Sequence, residues 1–303
     1  MANRTRRRHG GPEVGHPVEL CFRGRFSFGI DQWAYVPFDV PAGTQRLDVS
    51  TSHDQFSLLG IGHNVLDLGI FGPAGHERGN AKGFRGWSGG ARAGFMLSAV
   101  NATSGYLAGP TDPGRWALAL GPVVLNPLGM DWDAEIALTR GVQPSLRPAP
   151  DFHPTVHRNS QPGWYRGDLH THTVHSDGRR RIAEMATAAR SAGVDFIVST
   201  DHNTSSANRA WAATTDDGLE VITGEEVTTR HGHWLAIALP PGGWVDWRYA
   251  PRDGVCHLRQ EGAGGRRPRG GRAAVGAASG MRMGVRLPRR GRDGSLERIV
   301  ERR

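Results

Sequence analysis

No stretch between residues 18 and 142 carries the three-to-four-residue apolar period of a helix. Apolar residues alternate with others over short runs instead. Val18, Leu20 and Phe22 alternate, then Phe26 and Phe28, and a Trp33–Val40 run stops at Pro41-Ala42-Gly43. Arg46–Ser50, Leu66–Phe71, Phe95–Val100, Trp116–Leu120 and Asp133–Leu138 follow, punctuated by Gly72-Pro73, Gly89-Gly90, Gly109-Pro110 and Gly121-Pro122. Alternation rich in aromatic and β-branched residues puts one face of each strand into a core. Many short strands with Gly/Pro turns predict a β-sandwich. His53, His63 and His76 are scattered through it and read as structural or exposed.

The texture then changes. Pro144, Pro148, Pro150, Pro154 and Pro162 lie among polar neighbours, so 143–162 reads as a linker. From Gly163 strands and helices alternate. Arg166–Thr171 reads as a strand. Arg181–Ala192 reads as a helix, with Ile182, Met185, Ala186 and Ala189 on one face and Gly193 as its stop. Val194–Ser199 is a nearly continuous apolar run, as in a parallel strand covered on both faces. Leu219–Thr223 and Trp234–Leu239 are further strands. The predicted class is α+β in two domains: a β-sandwich over 18–142 and an α/β unit over 163–251.

The chain's net charge of +8 resembles a nucleic-acid signature until it is located. Residues 252–303 hold 14 Arg against 5 acidic residues, so residues 1–251 carry a net charge of −1. All 23 aromatic residues precede residue 252, and Arg, Gly, Ala and Pro make up 32 of the last 52 residues. Such a tail buries too little apolar surface to offset ordering and is expected to be disordered. It also lacks aromatics for base stacking, which argues against nucleic acid as a partner. Residues 1–17, with Arg4, Arg6, Arg7 and Arg8, read as a solvated terminus without an apolar core for secretion. No apolar run reaches the roughly 18 residues of a membrane span. Cys21 and Cys256 are too few for a disulfide framework. A cytoplasmic chain is expected, and its oligomeric state is left open.

The chemistry concentrates in three segments. The first is Gly167-Asp168-Leu169-His170-Thr171-His172-Thr173-Val174-His175-Ser176-Asp177-Gly178. His170 and His172, two apart on a strand, leave the same face, and paired imidazoles suit a divalent metal. Asp177 follows in a turn. The second segment is Thr200-Asp201-His202-Asn203-Thr204, directly after an apolar strand. An alternative reading makes Asp201 and Asn203 a helix start and His202 incidental. The third is Gly224-Glu225-Glu226-Val227-Thr228-Thr229-Arg230-His231-Gly232-His233, read as a strand-end segment or, alternatively, an exposed polar loop. Catalytic residues of α/β folds gather at the carboxyl ends of parallel strands, where all three segments are expected.

Asp-Leu-His-x-His-Thr-x-x-Ser-Asp-Gly, Thr-Asp-His-Asn, and Gly-x-Glu with a downstream Gly-His resemble the PHP (polymerase and histidinol phosphatase) family. Tyr35–Pro41, Gly83–Gly90 and Gly105-Tyr106-Leu107 resemble its CehA/McbA, carbaryl-hydrolase-like branch. The resemblance implies a distorted β/α barrel with two or three divalent ions (Zn, Mn or Fe). It implies His170 and His172 on the first ion, Glu226 bridging the first and second, His233 on the second, and Asp177 and His202 on the third. Glu225 is the rival bridge and His231 the rival to His233; His175 falls in a variable position. Asp168, on the face of His170, is expected to orient a ligand imidazole from behind.

The implied activity is hydrolysis of a small-molecule phosphate ester, or of a carbamate or aryl ester, by metal-activated water. Arg166 and Arg230 are candidates for holding an anionic group. A non-catalytic ligand-binding sandwich with a decayed barrel is the alternative. The family also implies a later His before Pro and an Asp-x-His. After His233 the chain has His257 alone, before Leu, and no Asp-x-His. The expectation is a partial barrel over 163–251, an out-of-frame tail over 252–303, and impaired activity.

Overall fold

The computed structural model describes residues 17–30, 33–55, 63–141, 163–212, 219–239 and 242–249, with the backbone of 274–277 and 284–287. The expectations for the first 16 residues and for the 143–162 linker lie outside these residues. Eight strands come first: β1 (Val18–Phe26), β2 (Ala34–Val40), β3 (Thr44–His53), β4 (Val65–Phe71), β5 (Phe84–Gly89), β6 (Gly94–Ser98), β7 (Gly114–Val124) and β8 (Met130–Arg140). They form two four-stranded antiparallel sheets, ordered β1-β8-β3-β6 and β2-β7-β4-β5. Leu47, Leu97, Ile136 and Leu138 of the first sheet meet Leu68, Ile70, Leu118 and Leu120 of the second in one core.

The sheets differ in how they are covered. In β8 buried residues alternate with exposed Asp131, Asp133 and Glu135, so one face is wet. In β7 every residue from Trp116 to Pro122 is buried. Alternation is lost because both faces of the second sheet are covered. Its outer face carries Trp33, Tyr35, Phe71, Phe84 and Trp87, which pack on Val227, Trp234, Trp244, Val245 and Trp247. Phe84 stacks on Trp244 with ring centroids 4.3 Å apart, and Trp87 meets Trp247 at 4.3 Å. Glycines make the room: a Cβ on Gly69 would lie 2.2 Å from the Trp87 ring, and one on Gly121 1.6 Å from Trp33.

A buried ion pair locks this seam. Arg248 pairs with Asp246 at 2.7 Å and donates to Tyr35 Oη (2.9 Å) and to the carbonyls of His76 (2.6 Å) and Glu77 (3.0 Å). Asp246 accepts from the Gly79 amide at 2.8 Å. Both charges are therefore hydrogen-bonded, the condition under which a buried pair is tolerated. Sequence reading assigned no role to 242–249.

The second part contains β9 (Gly163–Thr171), α1 (Ile182–Ser191), β10 (Phe196–Ser199), α2 (Ser206–Ala212), β11 (Glu220–Thr229) and β12 (Gly232–Ile237). At the start of α1, Glu184 accepts from the Arg181 amide at 2.8 Å. Ile182, Ala186 and Ala189 pack with Ile197 and Trp211 in a separate cluster. Strands β9, β10 and β11 run parallel, and β12 returns antiparallel to β11. With β13 (Ala274–Ala277) and β14 (Gly284–Leu287) at its edges, the order β13-β12-β11-β10-β9-β14 makes this an open six-stranded half-barrel among the described residues.

Three expectations are corrected. Phe28 lies in a turn after β1, 63% exposed, not in a strand. The segment after Thr223 is not a loop: β11 continues to Thr229, because β12 offers its second half a new hydrogen-bonding partner once the parallel pairing to β10 ends. The tail, expected to be disordered, supplies two strands among its described residues. β13 (Ala274–Ala277) pairs with β12, and β14 (Gly284–Leu287) pairs with β9. An unpaired edge is a ready template for any extended segment.

Candidate metal centre

The sheet's parallel pairing brings three segments together. His170 lies near the end of β9, and His172 just beyond it. His202 follows β10 and bridges to Glu226, which β11 carries past its last parallel pair, Thr223 with Ser199. His233 pairs with Thr228 across the β11–β12 hairpin. Alternation then places Glu226, Thr228 and His233 on one face of that hairpin.

Glu226 is the hub. Its Oε2 lies 2.8 Å from His170 Nε2, 2.9 Å from His172 Nε2 and 3.4 Å from His202 Nδ1. Its Oε1 lies 2.9 Å from His233 Nδ1. Asp177 Oδ1 is 2.8 Å from His172 Nδ1, and its Oδ2 is 3.7 Å from His202 Nε2. All six residues expected at the site, His170, His172, Asp177, His202, Glu226 and His233, thus converge. Three overlapping groups result: His170, His172 and Glu226; His172, Asp177 and His202; His202, Glu226 and His233. Within each, the ligand atoms lie within 4.8 Å of one another.

The donor set fits divalent ions. Ligand atoms about 2.1 Å from one ion stand roughly 3.0–3.4 Å apart for right-angle to tetrahedral arrangements. The nitrogen–oxygen separations above bracket that range. Imidazole with carboxylate suits Zn, Mn or Fe.

Electrostatics bind the cluster together. Burial raises the Glu226 carboxyl, but hydrogen bonds from His172 and His170 and the nearby imidazoles outweigh it and hold it well below the usual carboxylate range. Burial opposes charge on His172, yet hydrogen bonds to Glu226 and Asp177 push it up to about 9. His202 is lowered, chiefly by burial.

Neighbouring polar groups fix the ligands in place. Asp201, 1% exposed, accepts from the Thr173 amide and hydroxyl at 2.8 Å each and from Ser176 Oγ at 2.7 Å. It staples the loop carrying His172 and Asp177 to the segment carrying His202. Asn203, at φ 53°, accepts from the Thr228 amide at 2.8 Å and donates to the Thr228 carbonyl at 3.0 Å. Thr228 Oγ1 hydrogen-bonds His202 Nδ1, a contact that orients the imidazole. The helix-start reading of Asp201 and Asn203 fails, because α2 begins only at Ser206. Sequence reading gave Thr228 no role; its position two residues beyond Glu226 on one strand was the available signal.

The remaining candidates lie elsewhere. Asp168 accepts from the His170 amide at 3.0 Å, a main-chain contact in place of the expected imidazole contact. The strand carries its carboxylate alongside the backbone of residue 170 and not behind a ring. Glu225 points to the opposite face: fully buried, it accepts from the Val245 amide at 2.9 Å, and burial pushes its carboxyl well above the usual range. His175 Nδ1 meets Ser206 Oγ at 2.8 Å. His231 sits in the exposed hairpin turn. The Arg230 guanidinium lies over the Trp33 ring at 5.1 Å, and the Arg166 amide donates to Asp195 at 2.7 Å.

Among the described residues, no helix is long and apolar enough to cross a membrane. No curated protein matches the chain. Residues 168–247, the stretch that supplies all six converging side chains, match the PHP domain family.

Proposed function

We propose that this protein is a metal-dependent hydrolase of the CehA/McbA type, acting on a small phosphate ester, with carbamate or aryl esters as the alternative substrates. PHP domains are found in metal-dependent hydrolases. The observation that carries the reading is one carboxylate, Glu226, in reach of four imidazoles drawn from three segments. A packing role does not call for such a cluster, since four imidazoles share the two oxygens of one carboxylate.

Bound divalent ions would supply activation of water and polarisation of the scissile bond. His170, His172 and Glu226 would hold one ion, His202, Glu226 and His233 a second, and His172, Asp177 and His202 a third. The chain's own residues prepare these positions. Glu226 stays ionised across neutral pH, so it needs no deprotonation to act as a ligand. His172 must release its proton, which couples ion binding to pH. Asp201, Asn203 and Thr228 keep the donors converged, reducing the reorganisation needed on binding.

The test is turnover of an aryl phosphodiester, an aryl ester and an aryl carbamate by protein stripped with chelator and reloaded with Zn, Mn or Fe. The expected result is metal-dependent hydrolysis that is fastest on the phosphodiester and lost in Glu226→Gln. Hydrolysis that is indifferent to chelator, or none with any metal, would contradict the proposal.

A further inference from the structure

We propose that the β-sandwich shapes the metal position made by His172, Asp177 and His202, with Arg92 as its positioning residue. This rests on the metal-centre reading and adds a role for the other half of the molecule. The loop after β9 carries two of those three ligands. The Asp177 side chain is 61% exposed, so packing does not fix it; its place depends on the loop's backbone.

That backbone is held from two sides. Asp201 holds it from within its own sheet through Thr173 and Ser176. The sandwich holds it from the other side. Arg92, in the turn between β5 and β6, donates from Nη2 to the Val174 carbonyl. Val174 lies two residues from His172 and three from Asp177, so a shift of its peptide moves both ligands.

Gly105, between β6 and β7, makes the second contact. Its φ is +98°, and a Cβ there would lie 2.7 Å from the Trp87 carbonyl oxygen and 2.9 Å from that of His175. Main chains of the sandwich and the metal loop therefore touch with no space for a methyl group. The Gly105 amide donates to Ser206 Oγ at 3.1 Å, and its carbonyl accepts from Thr204 Oγ1 at 2.8 Å. Ser206 Oγ in turn meets His175 Nδ1 at 2.8 Å. The sandwich thus grips residues 174 and 175 of the metal loop. Arg209 provides a contrast: its Nη1 donates to the Ala108 carbonyl at 3.3 Å, a link between the two halves that does not run through residues 174 and 175.

The experiment is a Mn titration of the full chain, with bound metal counted and affinities resolved by calorimetry, in wild type, Arg92→Met, Arg209→Ala, Asp177→Asn and the Arg92→Met/Asp177→Asn double variant. Circular dichroism checks folding. Outer-sphere partners of metal ligands typically contribute about 10–100-fold in affinity. Arg92→Met is expected to weaken by about that factor the same class of site that Asp177→Asn removes. It should add nothing in the double variant, and Arg209→Ala should match wild type. Should Arg92→Met fail to fold, Ser206→Ala cuts the Gly105–His175 relay and is expected to weaken the same site. Equal weakening of all sites, additivity with Asp177→Asn, or unchanged affinity would overturn the inference while leaving the metal centre standing. A wild-type chain that binds no Mn, Zn or Fe would remove the metal centre and the inference together.

Discussion

The two faces of the β11–β12 hairpin carry opposite chemistry one residue apart. On one face Glu226, Thr228 and His233 join the imidazoles of His170, His172 and His202. On the other, Glu225, Val227, Trp234 and Ala236 press into the aromatic seam with the sandwich. Both carboxyls are buried, at 0% exposure for Glu225 and 2% for Glu226. Burial alone does not decide their charge. Glu226 has imidazole hydrogen-bond donors and stays ionised; Glu225 has one main-chain amide and the like charge of Asp246, and is driven toward its neutral form. The two-residue period of a strand thus separates a ligand from a core group.

Four experiments break or sharpen this contrast. The largest effect is expected from Glu226→Gln. It removes the carboxylate common to two of the three ligand groups, so metal affinity should fall by more than about 100-fold, beyond the loss of an outer-sphere partner. Counting bound Zn or Mn after dialysis checks this. Next comes Trp247→Ala in the seam. Trp247 is 2% exposed and meets Trp87 and Trp244, so about 3–5 kcal/mol of stability should be lost in denaturant unfolding.

The third effect is a pH dependence of the metal-free protein. The folded His172 lies at about 9, above its unfolded value of about 6.5. Its contribution is complete below about pH 6.5 and is lost as pH rises through about 9. Glu226 is depressed, so its contribution is present above the usual carboxylate value and is lost as pH falls through the lower folded one. Metal-free stability should therefore decline from neutral pH toward pH 9, and His172→Gln should flatten that limb of the unfolding profile. Metal affinity should rise over the same range, since the ion displaces the proton. The smallest effect belongs to Glu225→Gln. An amide nearly matches a neutral carboxyl in shape, so stability should change by about 1 kcal/mol or less and bound metal not at all. A loss of metal in Glu225→Gln equal to that in Glu226→Gln would erase the contrast.

Much of the sandwich was legible because its strands have one wet face. The Asp131, Asp133 and Glu135 rhythm of β8 is visible in the sequence. β5 was not, because Gly86 and Gly89 erase any alternation in Phe-Arg-Gly-Trp-Ser-Gly. The six converging residues were legible because each segment carries an unusual His or acid grouping. The residues that hold them were not. Asp201 acts on Thr173, and Asn203 on Thr228, across 28 and 25 positions, and no local pattern encodes such partners. The seam was hidden for the same reason: Trp244 and Trp247 advertise burial but not what they are buried against. Tail strands β13 and β14 answer to open sheet edges and not to their own composition.

The central claim is that Glu226 and its four imidazoles form a metal centre. Its most direct test is anomalous diffraction at the metal edge from crystals of Zn- or Mn-loaded protein. The account predicts anomalous peaks at bonding distance, about 2.0–2.2 Å, from the Glu226 carboxylate and its surrounding His nitrogens. Crystals in which the imidazoles keep their hydrogen bonds to Glu226, with no anomalous peak at that carboxylate or with the peaks elsewhere, would contradict it.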